Sequence, residues 1–218
     1  MLHSRFFFLL LLTGLLVVFS SSAAMAWEEA VVLSASVGTG EDDPDWVVQA
    51  QVFPTEAEAW ELSDSLLAKG LEPYVFAAAD EAGMFRYSVR LGVYETLYHA
   101  IKASAEFQGH WELDASVTED GSFEPLSLTD KVFFLQVMAL SLPEKVSEAV
   151  AEYQAKGYAP GVVKLLEAGQ EWSIVYVDAY EDFSEADQAA TEFRSRENSR
   201  CYLIMMDRAL FDERNVTD

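Results

Sequence analysis

The sequence predicts an α+β fold of two β-α-β-β-α-β units, each a four-stranded antiparallel sheet with two helices on one face. Three observations predict it. The chain matches itself at a shift of 86–87 residues. Strand-like and helix-like periodicities alternate in the same order in both copies. Half of the 218 residues are apolar and 13% are aromatic, enough to fill a core.

The repeat is read residue by residue. Residues 46–53 lie over 133–140, with Gln49 on Gln136. Ala68-Lys69-Gly70 lies over Ala155-Lys156-Gly157, and Pro73 over Pro160. Gly83 then meets Gly169, Val89 meets Val175, Tyr94-Glu95 meets Tyr180-Glu181, and Glu106-Phe107 meets Glu192-Phe193. The matches are scattered, yet they stay in order.

Each unit opens on a β-rich run, 46–53 or 133–140. A helix follows. Thr55 with Glu58, and Ser141 with Glu144, have the spacing at which a hydroxyl and a carboxylate satisfy the free amides of a helix start. Ala59, Leu62, Ser63 and Leu66 share one face of the first helix; Val146, Ala149, Val150 and Tyr153 share one face of its copy. Gly70 and Gly157 stand where a left-handed residue ends a helix. Strands over 73–78 and 160–166, turns at Gly83 and Gly169, and strands over 85–93 and 171–179 come next. Second helices run from Thr96 or Ser184 to about Phe107 or Phe193, and closing strands cover 111–117 and 201–206. This is the split βαβ, or ferredoxin-like, order. A unit of this size buries a modest core, so docking between the two should add burial.

The flanking segments follow. Residues 1–26 read as an export signal: His3 and Arg5, an apolar run from Phe6 to Phe19, and Ala24-Met25-Ala26 as a cleavage site. The run is short for a membrane-spanning helix. Residues 27–45, with Glu41-Asp42-Asp43-Pro44-Asp45, read as an acidic solvated segment. The units span 46–117 and 132–207, joined by a linker over 118–131 and followed by a tail over 208–218.

The chain has 14 Lys+Arg against 37 Asp+Glu, a net charge of −23. This argues against nucleic acid, whose binders present cationic surface to phosphates, and against docking on anionic lipid. The lone cysteine, Cys201, forms no intramolecular disulfide and reads as a packing thiol. Beyond the signal only His99 and His110 remain, and His99 reads as a surface residue. There is neither a Ser/His/Asp arrangement nor a Gly-rich phosphate loop, so the chain reads as no enzyme, with no cofactor and no metal.

Val48-Gln49-Ala50-Gln51-Val52-Phe53 and Tyr87-Ser88-Val89-Arg90-Leu91-Gly92-Val93-Tyr94 resemble the SPOR domain, whose members open with V-Q-x-G-x-F and later carry Y-R-V-x-V-G-x-F. Residues 135–140 and 172–180 resemble the same motifs, so the chain resembles a tandem SPOR protein. The chain departs from the family where a glycine after the glutamine is Ala50 or Val137, and where Gly92 is answered by Asp178. The resemblance implies a periplasmic protein that binds peptidoglycan glycan strands, in particular strands stripped of stem peptides and often at the division septum. It implies the free sheet face as the platform. A cell-envelope or division protein is the alternative partner, with the repeats serving as a protein-interaction module.

Strand alternation nominates the platform residues. Val48, Ala50, Val52, Val89, Leu91 and Val93 are expected under the helices of the first unit. The other face then carries Gln49, Gln51, Arg86, Ser88 and Arg90, whose amides and guanidinium groups suit sugar hydroxyls, acetamido groups and a lactyl carboxylate. In the second unit the same face carries Phe134, Gln136, Met138, Trp172, Ile174 and Tyr176. Gln136, Trp172 and Tyr176 are glycan candidates there. So apolar a face should not stay bare, and it is expected to pack against the first unit or a partner protein.

Overall fold

The computed structural model describes residues 30–33, 45–79, 83–167 and 169–216. The expected export signal over 1–26 and residues 41–44 of the acidic cluster lie outside them. The first element is β1 (Ala30–Leu33), inside the segment expected to be a solvated spacer. The first unit follows: β2 (Trp46–Phe53), α1 (Glu56–Ala68), β3 (Tyr74–Ala79), β4 (Phe85–Tyr94), α2 (Leu97–Trp111) and β5 (Ser116–Glu119). The second unit repeats it as β6 (Lys131–Leu140), α3 (Pro143–Ala155), β7 (Pro160–Glu167), β8 (Gln170–Tyr180), α4 (Phe183–Glu197) and β9 (Tyr202–Asp207). The tail is ordered as α5 (Arg208–Arg214) and β10 (Asn215–Val216).

The expected α+β fold is present. The first sheet has the order β3-β4-β2-β5, and all its neighbours are antiparallel. The second contains the equivalent β7-β8-β6-β9 and adds a strand at each edge, giving β1-β9-β6-β8-β7-β10. Ala30–Leu33 pairs with Leu203–Met206, and Asn215–Val216 with Val162–Val163.

Several local expectations hold in detail. Thr55 and Thr96 cap their helices, accepting from the backbone N–H of Glu58 and His99. Gly70 and Gly157 lie just past their helices at φ +85°, where an L side chain would be strained. Others shift. Leu142, not Ser141, precedes α3, because Pro143 takes the first helical position and needs no N–H partner. Asp182 rather than Ser184 caps α4, accepting from the Glu185 N–H. Helix α2 continues to Trp111, so β5 begins at Ser116 instead of 111 and enters the expected linker.

Paired bulges change which residues face the helices. Val47 sits opposite Val93 but Gln49 opposite Arg90, leaving an extra residue at Leu91-Gly92; Gln51 then sits opposite Val89, leaving Ala50 extra. The second unit has the same pair at Asp178 and Val137. Simple alternation therefore fails beyond these points. Phe53 rather than Val52 packs in the first core, and Val93 is 53% exposed while Tyr94 turns inward. Met138 joins the helix-covered core rather than the opposite face. Gly92 and Asp178 hold the same left-handed bulge, at φ +85° and +57°. Aspartate tolerates that region better than most residues, so the glycine can be lost without losing the bulge.

Val48, Ala59, Leu66, Val89 and Leu91 form the first unit's core under its helices. The two units dock through helices, with α2 wedged between them. Ala103 and Phe107 pack on the first core, while Leu97, Tyr98 and Ile101 join Phe133, Leu135, Phe183 and Phe193 of the second. Tyr98 donates to Asp187 at 2.6 Å, and Lys102 reaches the same carboxylate at 2.8 Å. Burial pushes the Asp187 carboxyl up, but its bonds to Lys102 and Tyr98 and the charges of Lys102 and Arg194 outweigh this and hold it below its ordinary value. The expected docking between units therefore occurs, but on the helix-covered side of the second sheet and not through its outer face.

That sheet's outer face is covered by the chain itself. Phe211 and Leu210 of α5 pack on Phe134, Ile174, Tyr176, Ile204 and Met206. The rings of Phe134, Tyr176 and Phe211 lie 5.4–5.5 Å apart, and the Tyr176 hydroxyl donates to Asn215 Oδ1 at 2.9 Å. The tyrosine ring lies across Gly161, where an added Cβ would come within 2.3 Å of its oxygen. The face is packed, as its composition requires, by this chain's own α5 rather than by the first unit.

Two outcomes test these contacts. Gly161→Ala forces Tyr176 off its seat and should lower unfolding stability by about 1–3 kcal/mol, read from the urea midpoint. A carboxylate whose folded pKa is depressed stabilises fully above its unfolded pKa of about 3.9 and loses that stabilisation as pH falls through the folded value. Asp187→Asn should thus lower the melting temperature at neutral pH, by roughly 1 kcal/mol of stability, and flatten its decline below about pH 4.

Candidate glycan-binding faces

The first candidate face is built on adjacent strands. Gln49 on β2 is paired in register with Arg90 on β4, and Ser88 lies two residues along β4. The structure brings these three together and buries them, Arg90 and Ser88 completely and Gln49 to 5% exposure. Ser88 Oγ donates to Gln49 Oε1 at 2.8 Å, and Arg90 Nε reaches Ser88 Oγ at 3.4 Å.

The segment after β5 closes over them. Arg90 donates to Asp120 Oδ1 at 2.7 Å and to the Ser122 carbonyl at 2.5 Å, and its guanidinium lies 3.8 Å from the centre of the Phe76 ring. Gln49 Nε2 donates to the Phe123 carbonyl at 3.2 Å. The Phe123 ring sits against Phe76 at 5.5 Å, with Arg86 5.6 Å from its centre. Thr118 Oγ1 donates to the Glu124 carbonyl, and the Leu126 N–H to the Val117 carbonyl. Burial pushes the nearby Tyr74 hydroxyl up, while the charge and hydrogen bond of Arg90 pull the other way.

The covering segment therefore presents one carboxylate, two carbonyls and a ring to Arg90, Gln49 and Phe76. A buried guanidinium needs such partners, since desolvating the charge without them is costly. The strand pattern located Gln49, Ser88 and Arg90 as one constellation but missed Asp120, Ser122 and Phe123. The available signal was Phe123, the one aromatic in the expected linker. Gln51 lies beyond the Ala50 bulge and is exposed, and Arg86 is half-buried at the rim.

In the second unit Gln136 is half-buried between its register partners Tyr176 and Tyr202. Trp172 is half-buried beside Leu165 at the edge of the α5-covered cluster. Tyr176 is 6% exposed and lies within that cluster. Gln136 and Trp172 thus keep open surface, while the Tyr176 ring faces Phe134 and Phe211. The missed residue is Phe211; the Leu210-Phe211 pair in an otherwise polar tail was its signal.

Residues 129–204 match the SPOR domain. The SPOR domain is a peptidoglycan-binding family, and its members are binding modules found in envelope-associated proteins. The matched stretch covers the second unit to the middle of β9, and the first unit lies outside it. No curated protein and no solved structure gives a significant match. The first unit has the same β-α-β-β-α-β order as the matched unit.

Other groups fall into structural roles. His99 Nδ1 lies 2.8 Å from Thr96 Oγ1 on the exposed start of α2. Cys201 is buried with Sγ 3.7 Å from the Ala190 carbonyl, and burial pushes its thiol up. Among the described residues no group of His, Cys, Asp and Glu is placed to hold a metal ion, and no helix is long and apolar enough to cross a membrane.

Removing the anion that faces Arg90 is the direct test of the covering segment. Asp120→Ala leaves the buried guanidinium with the Ser122 carbonyl, Ser88 Oγ and the Phe76 ring but without an anion. Because Asp120 is half-exposed, the expected cost is about 2 kcal/mol, below that of a fully buried pair. Limited proteolysis should then cut within 118–126 faster than in the unaltered protein.

Proposed function

We propose that the chain is an exported, non-enzymatic cell-envelope protein of the periplasm that binds peptidoglycan glycan strands. The match of residues 129–204 to the SPOR domain carries this reading. The topology shared by the two units supports reading the chain as a tandem SPOR protein. Denuded glycan, the form expected at a division septum, is its proposed ligand. Sugar rings would lie along the sheet faces, using Gln49, Gln51, Arg86, Ser88 and Arg90 on the first unit and Gln136, Trp172 and Tyr176 on the second.

The covered faces shape how this happens. Gln51, Arg86, Gln136 and Trp172 offer surface as the fold stands. Gln49, Ser88, Arg90 and Tyr176 become available only when the 120–126 segment or α5 lifts. The same observation favours a second reading, in which the repeats no longer hold glycan and serve as a protein-interaction module. The middle of each outer face is closed by this chain's own residues, and a glycan reaching Gln49, Ser88, Arg90 or Tyr176 would have to displace them.

Pull-down on purified sacculi, with and without amidase removal of stem peptides, separates the readings. Under the glycan reading the full chain is retained on denuded sacculi at least tenfold over a non-binding control, a difference of about 1.4 kcal/mol. Retention falls in the Gln136→Ala, Trp172→Ala double variant. A chain ending at Asp207, which lacks α5, binds more tightly if that helix competes with glycan. Absence of retention on either preparation, by both the full and the shortened chain, overturns the glycan reading.

A further inference from the structure

The two sheets differ at their edges. In the second, β1 closes the β9 edge and β10 closes the β7 edge. In the first, the β5 edge receives a bond from the Leu126 N–H. Strand β3, the counterpart of β7, pairs only with β4 among the described residues. Among the described residues its outer row of N–H and C=O groups has no counterpart of the strand that its copy has.

The sequence of β3 does nothing to blunt that edge. Tyr74-Val75-Phe76-Ala77-Ala78-Ala79 carries no charge and no proline, and its register with β4 runs unbroken over six residues. Edges left free in folded proteins usually carry charges, prolines or bulges that discourage pairing. Ala77 and Ala79 are exposed, and their small side chains let another backbone approach. The repeat also shows where an added strand would sit: β10 lies antiparallel on Val162–Val163, and the alignment of Pro73 with Pro160 places Val75–Phe76 at that position.

We infer that the free edge of β3 is a docking site for an extended, apolar segment of a partner protein flanked by Lys or Arg, added antiparallel as a further strand of the first sheet. Backbone hydrogen bonds supply the affinity, as in other strand-addition complexes. Charge selects the partner. Glu72 precedes the strand, Asp80 and Glu81 follow it, and the chain carries −23. A second copy is disfavoured by the same acidity, since two chains each carrying −23 repel. This inference is independent of the glycan reading, because it uses the edge of the sheet and not its face.

The test uses the full chain and a synthetic peptide of alternating valine and threonine with lysines at both ends, titrated by fluorescence anisotropy. The expected result is saturable binding, about tenfold or more tighter than that of the same peptide with glutamates at its ends, and weaker at high salt. Hydrogen exchange should slow at amides within 74–79 when the peptide binds. Adjacent strand residues send their N–H groups to opposite edges, so one of Ala77→Pro and Ala78→Pro removes only an outward donor; that variant keeps the melting temperature and loses the peptide. Failure of saturable binding, equal binding of both peptides, or binding that leaves exchange at 74–79 unchanged overturns the inference. A peptide-free dimer with those amides already protected also overturns it, in favour of self-pairing.

Discussion

A sheet covered by helices on one side has a second side that must still be accounted for, and most of this structure follows from that constraint. In the second unit the outer face is apolar, and leaving Phe134, Ile174, Tyr176, Ile204 and Met206 in water would forfeit much of the stabilisation that burial supplies. In the first unit the outer face is polar, and its buried guanidinium requires anionic and carbonyl partners. The chain meets both demands in the same place. The segment directly after the last strand of each unit folds back, an aromatic helix over the apolar face and a carbonyl-rich loop over the polar one. The two covers are unlike in conformation because the faces beneath them are unlike in chemistry.

Helix α2 ties the units together because it has two apolar flanks. One completes the core of the first unit, and the other enters the second beside Phe183 and Phe193. The Tyr98–Asp187–Lys102 bonds fix its orientation at the margin of that contact. The SPOR match ends within the second unit, but the physical core does not. Excising 129–204 would strip Leu97, Tyr98 and Ile101 from one side of that unit and Phe211 from the other.

The parts of the fold legible in the sequence were those set by local chemistry. Thr55 and Thr96 mark helix starts because a hydroxyl meets a free amide within three residues, and Gly70 and Gly157 mark ends because φ there is positive. The duplication carried the topology of both units. The bulges at Ala50 and Val137 were invisible because these residues have no local signature and no positive φ, whereas the bulge beside Val93 had its signal in Gly92. Missing them misplaced Val52, Val93 and Met138 by one face. Strand β1 and helix α5 were missed because each is short, and their stability comes from contacts far away in sequence. The Gln49–Ser88–Arg90 group was legible as a constellation; its burial was not, because that depends on where residues 120–124 travel.

The pairing of Ala30–Leu33 with Leu203–Met206 bears on the order of assembly. The first strand of the described chain joins β9, the last strand of the second unit, so its partner is formed only when almost everything between is in place. Closing so long a loop is entropically unfavourable until other contacts have drawn the ends together. The edge that β1 protects therefore stays open through much of folding, while the rest of the second sheet is already built. A polypeptide that leaves its site of synthesis N-terminus first must carry this strand unpaired for the whole of that passage, and the −23 charge of the chain helps keep such intermediates apart.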